Sequence, residues 1–233
     1  MKIIADLHTH TLVSQHAYST IDEMIQSAKE KGLLVLAITD HGPASSDGAK
    51  LIHFKALNNL PKYIDGITLL MGCEANIIDY NGKLDIGYDI LNNLDFIIAS
   101  YHEDSIKPIN KKEHTNGYIK VIENKNVDCL GHIGNPKFEF DIKYIVKLCK
   151  EYNKLIEINS SSFTVRRGSF SICKEIALLC KKYNVNIIVT SDAHSKYKVA
   201  DYKDAINMLD SISFPENLIL NTDYDRLMEY INK

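Results

Sequence analysis

No apolar run in this chain of 233 residues reaches the roughly 18 residues that a membrane-spanning helix requires. The start, Met1 to Asp6, lacks the apolar core and small-residue cleavage site of a secretory signal. Cysteine is sparse: Cys73, Cys129, Cys149, Cys173 and Cys180 form no C-x-x-C pair. An odd, dispersed set argues against a disulfide framework and reads as reduced thiols in a cytoplasmic protein. Arginine occurs three times, twice as the neighbours Arg166 and Arg167. The net charge is −3 and the pI about 6.3. That balance leaves no electrostatic footprint for long nucleic acid or an anionic membrane. No low-complexity linker or charge block divides the chain, so a single domain over 1–233 is expected.

What is present is a full core and a repeating pattern. Hydrophobic residues make up 45% of the chain. Apolar, β-branched runs at Lys2–Leu7, Leu33–Thr39, Ile67–Cys73, Leu94–Ser100, Val127–Leu130, Leu155–Ile158 and Val185–Thr190 read as buried strands. Amphipathic stretches such as Ile21–Lys31, Ile142–Tyr152 and Ser171–Tyr183 read as helices between them, with two more near Asp201–Leu209 and Asp223–Ile231. Alternation of this kind predicts an α/β fold, a distorted TIM-like barrel of seven βα units. Ser19-Thr20 with Asp22 and Glu23 supplies a helix start, and Lys29, Lys31 and Gly32 a helix end. The polar loop from Gly42 to about Lys50 is expected over the mouth.

Each predicted strand is followed at once by a candidate site residue. In order these are His8 and His10, His41, Glu74, His102, His132, Asn159 with Ser160, and Asp192 with His194. Chemistry in βα barrels gathers at the C-terminal strand ends. His8 and His10, two apart on a strand, share a face with Asp6, which is expected inward either as a ligand or, by preference, as a partner fixing an imidazole. His16 follows in the loop. Asp40 is open between ligand, ligand partner and helix cap. Gly42 is expected to allow a sharp turn. Glu74 ends an apolar strand, where an unpaired carboxylate is costly, and a bridging role between metals would suit it. His53 and His114 fall off the pattern and read as surface residues.

Nine donors (His8, His10, His16, His41, Glu74, His102, His132, Asp192 and His194) exceed the needs of one zinc and fit two or three metals. Imidazole with carboxylate and no thiolate suits zinc, manganese or iron. Asn159, Ser160, Ser161, Arg166 and Arg167 form a candidate phosphate clamp, since guanidinium binds phosphate in a bidentate manner. The plain reading of that segment is a polar loop with a helix cap at Ser169 or Ser171.

These residues resemble the PHP (polymerase and histidinol phosphatase) superfamily, and within it the YcdX-like phosphatases, over nearly the full length. The resemblance is carried by Asp6-x-His8-x-His10, His16-Ala17-Tyr18-Ser19-Thr20, Thr39-Asp40-His41-Gly42-Pro43, Glu74-Ala75-Asn76, His102-Glu103, His132-x-Gly134-Asn135-Pro136, Asn159-x-Ser161-Ser162-Phe163 and Ser191-Asp192-x-His194. It implies a distorted barrel of seven units and a trinuclear centre of divalent metals, zinc foremost. The implied grouping puts His8, His10, Glu74 and Asp192 on one metal, His16, His41 and His194 on a second, and Glu74, His102 and His132 on a third. Ile133 departs from the usual proline. A shortened loop before Gly168 leaves Arg166 or Arg167 as phosphate ligand, with spacing in favour of Arg166.

The expected activity is hydrolysis of small phosphate monoesters by a metal-activated hydroxide, with Asp192, His194 and Arg166 as catalytic residues. The alternatives are a nuclease acting on short nucleotide ends, a non-catalytic metal-binding protein, and an amidohydrolase. The last expects a strand-end lysine where this chain has Glu74. No membrane or long nucleic-acid partner is expected, and a homo-oligomer is compatible. Replacing His53 or His114 should leave metal content unchanged, whereas replacing His10 or Asp192 should not.

Overall fold

A computed structural model describes residues 1–232. Seven parallel strands run in the order β1 (Ala5–Asp6), β2 (Val35–Ile38), β4 (Ile67–Asn76), β5 (Phe96–Ser100), β6 (Cys129–Leu130), β7 (Leu155–Asn159) and β8 (Ile187–Thr190). Apart from half-buried Thr68 in β4, their burial is continuous, which is why they read as nearly unbroken apolar runs. The sheet nearly closes into a barrel, as the alternation predicts. The helices α1 (Ile21–Glu30), α2 (Leu51–Ala56), α3 (Tyr88–Leu91), α4 (Lys111–Glu123), α5 (Ile142–Glu151), α6 (Ser162–Val165), α7 (Ser169–Tyr183), α8 (Lys203–Ser211) and α9 (Tyr224–Ile231) complete it.

An eighth strand is additional to the expected seven. β3 (Tyr63–Ile64) pairs antiparallel with the start of β4. Asp65 and Gly66 both have positive φ between them, +53° and +92°. An Asp-Gly pair between apolar residues is a hairpin signal that the search for helix-linked strands passes over.

Helix α1 starts where its sequence signals place it. Glu23 N–H donates to Thr20 Oγ1 at 3.2 Å and Thr20 N–H returns to Glu23 Oε2 at 2.9 Å, a complete capping box. Ser19 is not the cap; its Oγ accepts from Lys196 N–H at 3.0 Å. Helix α7 begins two residues earlier than expected, at Ser169, behind a left-handed Gly168 with φ +97°.

The seam between β1 and β8 is joined at both ends. Near the C-terminal strand ends, His10 N–H donates to Ala193 O at 2.9 Å. At the opposite end a loop asparagine replaces the missing strand partner. Asn221 is fully buried, and its Nδ2 donates to Ala5 O at 2.8 Å and Val189 O at 2.7 Å. Its Oδ1 accepts from Val189 N–H at 3.1 Å, and its carbonyl accepts from Ile4 N–H at 2.9 Å.

The barrel interior is apolar below the site. Ala5, Val35, Leu70, Phe96 and Ile188 meet there, closed by Leu227 and Tyr230 of α9. Burying each large side chain contributes roughly 1.5–3 kcal/mol. The larger cluster fills the space between the sheet and the helices.

One register slip decides what the first strand presents. Val35 N–H donates to Ile4 O, whereas four residues later Thr39 N–H donates to Thr9 O at 2.9 Å. Five residues of the first strand thus run against four of the second. A one-residue bulge reverses the alternation of faces. Leu7 stays in the interior cluster, His8 joins it at the site, and Asp6 turns away.

Candidate metal and phosphate site

Glu74 is the centre of the site. It lies within β4 rather than after it, because that strand continues to Asn76. Its Oε2 faces His41 Nδ1 at 2.8 Å, His8 Nε2 at 3.2 Å and His10 Nε2 at 3.6 Å. Its Oε1 faces His132 Nε2 at 2.8 Å and His102 Nε2 at 3.3 Å. Asp192 Oδ1 adds contacts to His10 Nε2 at 3.3 Å and His8 Nε2 at 3.6 Å. The His194 ring stacks on His10 and on His16, each with centroids 4.2 Å apart. All nine expected donors are therefore gathered at one barrel end, and each oxygen of Glu74 addresses a different set of rings.

The hydrogen-bond network fixes which ring nitrogen is free. Glu157 Oε1 lies 2.5 Å from His8 Nδ1, so that nitrogen donates and Nε2 is left facing Glu74 and Asp192. Asn76 Nδ2 donates to Gly42 O and Asp85 Oδ2, which leaves Oδ1 to accept from His102 Nδ1 at 2.7 Å. His194 Nδ1 donates to Asp192 O at 2.9 Å. In each case the second nitrogen is the one turned to the centre. Among the buried side-chain atoms without a hydrogen-bond partner, five are in this cluster: Nε2 of His8, His10 and His194, Nδ1 of His41 and Oε2 of Glu74. Buried polar atoms are almost always paired. A converging set of lone pairs left unpaired fits divalent cations, and three overlapping donor groups exist: His10, His41 and His194; His8, His10 and Glu74; His41, Glu74 and His102.

Electrostatics keep the carboxylates ionised and divide the rings: against burial, Glu157 and Glu74 raise His8, and Glu74 raises His41. Burial alone would raise Asp192, but His8, His10 and Arg166 hold its carboxyl well below the usual range. Glu74 is likewise held low against burial by His8, His102 and His41. Burial drives His132 down to about 4, aided by Arg166, so the ring is neutral at pH 7. His10 is pulled down by burial and by its neighbours His41 and His194. Two of the non-glycine residues with positive φ, His132 (+28°) and Asp192 (+55°), belong to this cluster. Strained backbone of this kind concentrates at functional sites.

Above the cluster opens a cavity of about 620 Å³, lined in part by His16, Asp47, Ser160, Ser161, Arg166 and Asp192. Ser45, Ser46 and Asp47 put the Gly42–Lys50 loop at its mouth. Arg166 Nη1 donates to Ser162 Oγ at 2.9 Å and lies 3.5 Å from Asp192 Oδ2. Arg167 is exposed and does not line the cavity. Asn159 is also displaced from the expected clamp: it sits behind the site, with Nδ2 donating to Asp192 Oδ2 at 3.0 Å and Oδ1 accepting from Ser162 N–H.

Several expectations are corrected. Asp6 fixes no imidazole; the bulge turns it to the loop after β8, where it accepts from Ser191 Oγ and Ala200 N–H. Gly42 keeps an ordinary φ, and its missing side chain leaves room for the Asp85 carboxylate. His114 is 2% exposed, donating from Nδ1 to Glu139 O at 2.8 Å and accepting from Ile109 N–H at Nε2. His53 is not on the surface either; its Nε2 lies 3.2 Å from the buried Asp40 carboxylate. Asp40 is neither ligand nor helix cap, since it accepts from Thr11 N–H, Thr11 Oγ1 and Ser14 Oγ. Glu157, the principal residue overlooked, was legible by the signal that found Glu74: a lone carboxylate inside an apolar strand.

Comparison with known proteins gives this arrangement a family. The model of the PHP domain matches residues 6–161. The chain belongs to the PHP domain family. Along its length it is 48% identical over 231 residues to a protein of Clostridium botulinum named "probable phosphatase", covering 99% of this chain and 95% of that one. A protein of the same name from Acetivibrio thermocellus is 43% identical over 233 residues, covering 100% and 97%. The fold is similar to that of a histidinol phosphate phosphatase from Lactococcus lactis, solved with zinc, L-histidinol and phosphate. That likeness has a TM-score of 0.65 at 18% identity, over 91% of this chain and 94% of the other. Within the PHP family the donor cluster spans more than the matched segment, because Asp192 and His194 lie beyond residue 161.

Proposed function

We propose that this PHP protein is a metal-dependent phosphatase that hydrolyses small phosphate monoesters. The observation that carries the reading is the set of unpaired buried nitrogens around Oε2 of Glu74, with His102 and His132 at its other oxygen, beneath a cavity holding one guanidinium. The names of the relatives point the same way. His8, His10, Glu74 and Asp192 would hold one divalent metal, His16, His41 and His194 a second, and Glu74, His102 and His132 a third, with zinc preferred over manganese or iron. Metals there would neutralise phosphate charge and make a water acidic enough, with a pKa near 7, to serve as nucleophile.

The chain's own residues do the rest. Arg166 is aimed into the cavity by Ser162 and balanced by Asp192, and it anchors phosphate oxygens with Ser160 and Ser161. Its charge stays on the side where negative charge develops in phosphoryl transfer. Asn159 orients Asp192 rather than touching substrate. His194 is pulled down by burial, so it enters the reaction neutral, as a ligand rather than a proton donor.

The rim favours a small substrate. Asp47, Asp104, Asp201 and Asp204 line the cavity, against Arg166 and Lys198. Carboxylates in that number repel a polyanionic strand. The test is phosphate release from a chromogenic monoester, with and without chelator, beside a nucleoside 3′,5′-bisphosphate and a short RNA. Full activity in chelator-stripped protein, or cleavage of the RNA alone, would sink the proposal.

A further inference from the structure

His53 belongs to α2, the short helix that follows the loop at the cavity mouth. Its side chain is 14% exposed, and its Nε2 faces Asp40 Oδ2 at 3.2 Å. On its outer side it borders an apolar groove shared with Leu12, Val13, Ile21 and Leu57. The ring thus closes Asp40 off from solvent and confronts its carboxylate with a nitrogen.

Asp40 in turn organises the turn that carries the first ligands. Its Oδ1 accepts from Thr11 N–H and Ser14 Oγ, both at 2.7 Å, and its Oδ2 from Thr11 Oγ1 at 2.8 Å. Ser14 spends its only proton on that carboxylate, so its oxygen can only accept from its other neighbours. It accepts from His41 N–H at 3.1 Å, and His10 Nδ1 lies 3.5 Å away. A donor is therefore required at His10 Nδ1, which leaves Nε2 as a lone pair facing Glu74 and Asp192. The chain His53–Asp40–Ser14 reaches the ring of His10 and the backbone of His41 from outside the barrel.

We propose that His53 is a positioning residue of the site, acting through Asp40 and Ser14 on His10 and His41 and so setting how tightly the metals are held. The inference rests on the metal-dependent reading above and deepens it. It reverses the expectation that replacing His53 leaves metal content unchanged. Outer partners of metal ligands typically contribute 10- to 100-fold in affinity.

The experiment is a zinc titration of chelator-stripped protein against a competing chromophoric chelator. Wild type is compared with His53→Phe, His53→Gln and His114→Phe. The phenylalanine variant at 53 should hold at least one zinc about tenfold more weakly. Glutamine, which keeps an N–H for Asp40, should restore binding. His114→Phe, which removes another buried ring away from the cluster, should lower thermal stability and leave zinc affinity unchanged. Wild-type zinc number and affinity in His53→Phe would overturn the inference. Ser14→Ala deletes only a hydroxyl and should show the same weakening even if His53→Phe does not fold; unchanged affinity there overturns it too. Tight zinc binding by wild type with no phosphate release from any monoester would remove the phosphatase reading and leave His53 its role. Failure of wild type to bind zinc would remove both.

Discussion

Glu157 Oε1 meets Nδ1 of His8 at 2.5 Å, while Glu74 faces Nε2 of the same ring. Glu157 also accepts from His132 N–H and from Thr190 Oγ1, so one buried carboxylate orients His8 and holds the backbone of a second ligand. Replacing it by glutamine keeps the volume and removes the charge. An amide can present N–H to His8 Nδ1 and turn the donor toward the cluster. Glu157→Gln should weaken zinc binding by roughly 10- to 100-fold. Zinc titration of the stripped protein measures this, and wild-type affinity would show that Glu157 serves folding alone.

The two neighbouring arginines separate cleanly. Arg166 lines the cavity beside Ser162 and Asp192, whereas Arg167 faces solvent. Arg166→Ala should lower kcat/KM for a phosphate monoester by about 100-fold, the scale for removing one donor from a developing oxyanion. It should also weaken inhibition by inorganic phosphate. Arg167→Ala should change both by no more than about twofold, as surface substitutions do. Equal losses in the two variants would contradict the placement.

Much of this arrangement was readable before any coordinates. The seven parallel strands are buried on both faces, so their sequences are nearly unbroken apolar runs, and most of the donors follow them closely. What escaped depends on relations that residue type does not encode. The bulge in the first strand is a register slip, and only pairing with β2 reveals that Asp6 turns outward. His53 lies thirteen positions from Asp40 on a helix too short to show a periodic pattern. Arg166 and Arg167 are chemically identical, and only the turn before α7 decides which one enters the cavity.

Asn221 gives a prediction that separates stability from site chemistry. Its amide joins Ala5 and Val189 across the barrel seam, away from the donor cluster. Asn221→Ala leaves the Val189 N–H and C=O buried without partners and Ala5 O with the Tyr202 hydroxyl alone. Each such group costs about 1–3 kcal/mol. A total near 3 kcal/mol corresponds to a melting point lower by roughly 6–12 °C in a chain of this size. Calorimetry of the chelator-stripped protein measures the shift, and zinc affinity below the transition should match wild type.

Asp40 supplies the pH dependence. Burial by itself would raise its carboxyl, but His53, His10 and the Thr11 N–H hold it well below the ordinary value of 3.8. A carboxylate with a depressed folded pKa binds its proton more weakly in the native state than in the unfolded chain. Its stabilisation is therefore complete above the unfolded value and disappears as pH falls from about 4 toward the folded one. Asp40→Asn cannot ionise and loses that contribution at every pH. The stability gap between wild type and Asp40→Asn should be constant from about pH 5 to 7. It should then close progressively below pH 4 as wild type takes up the proton. Urea unfolding of the chelator-stripped proteins at a series of pH values measures the gap. A gap that widens on acidification would mean that the Asp40 carboxyl is protonated in the native protein.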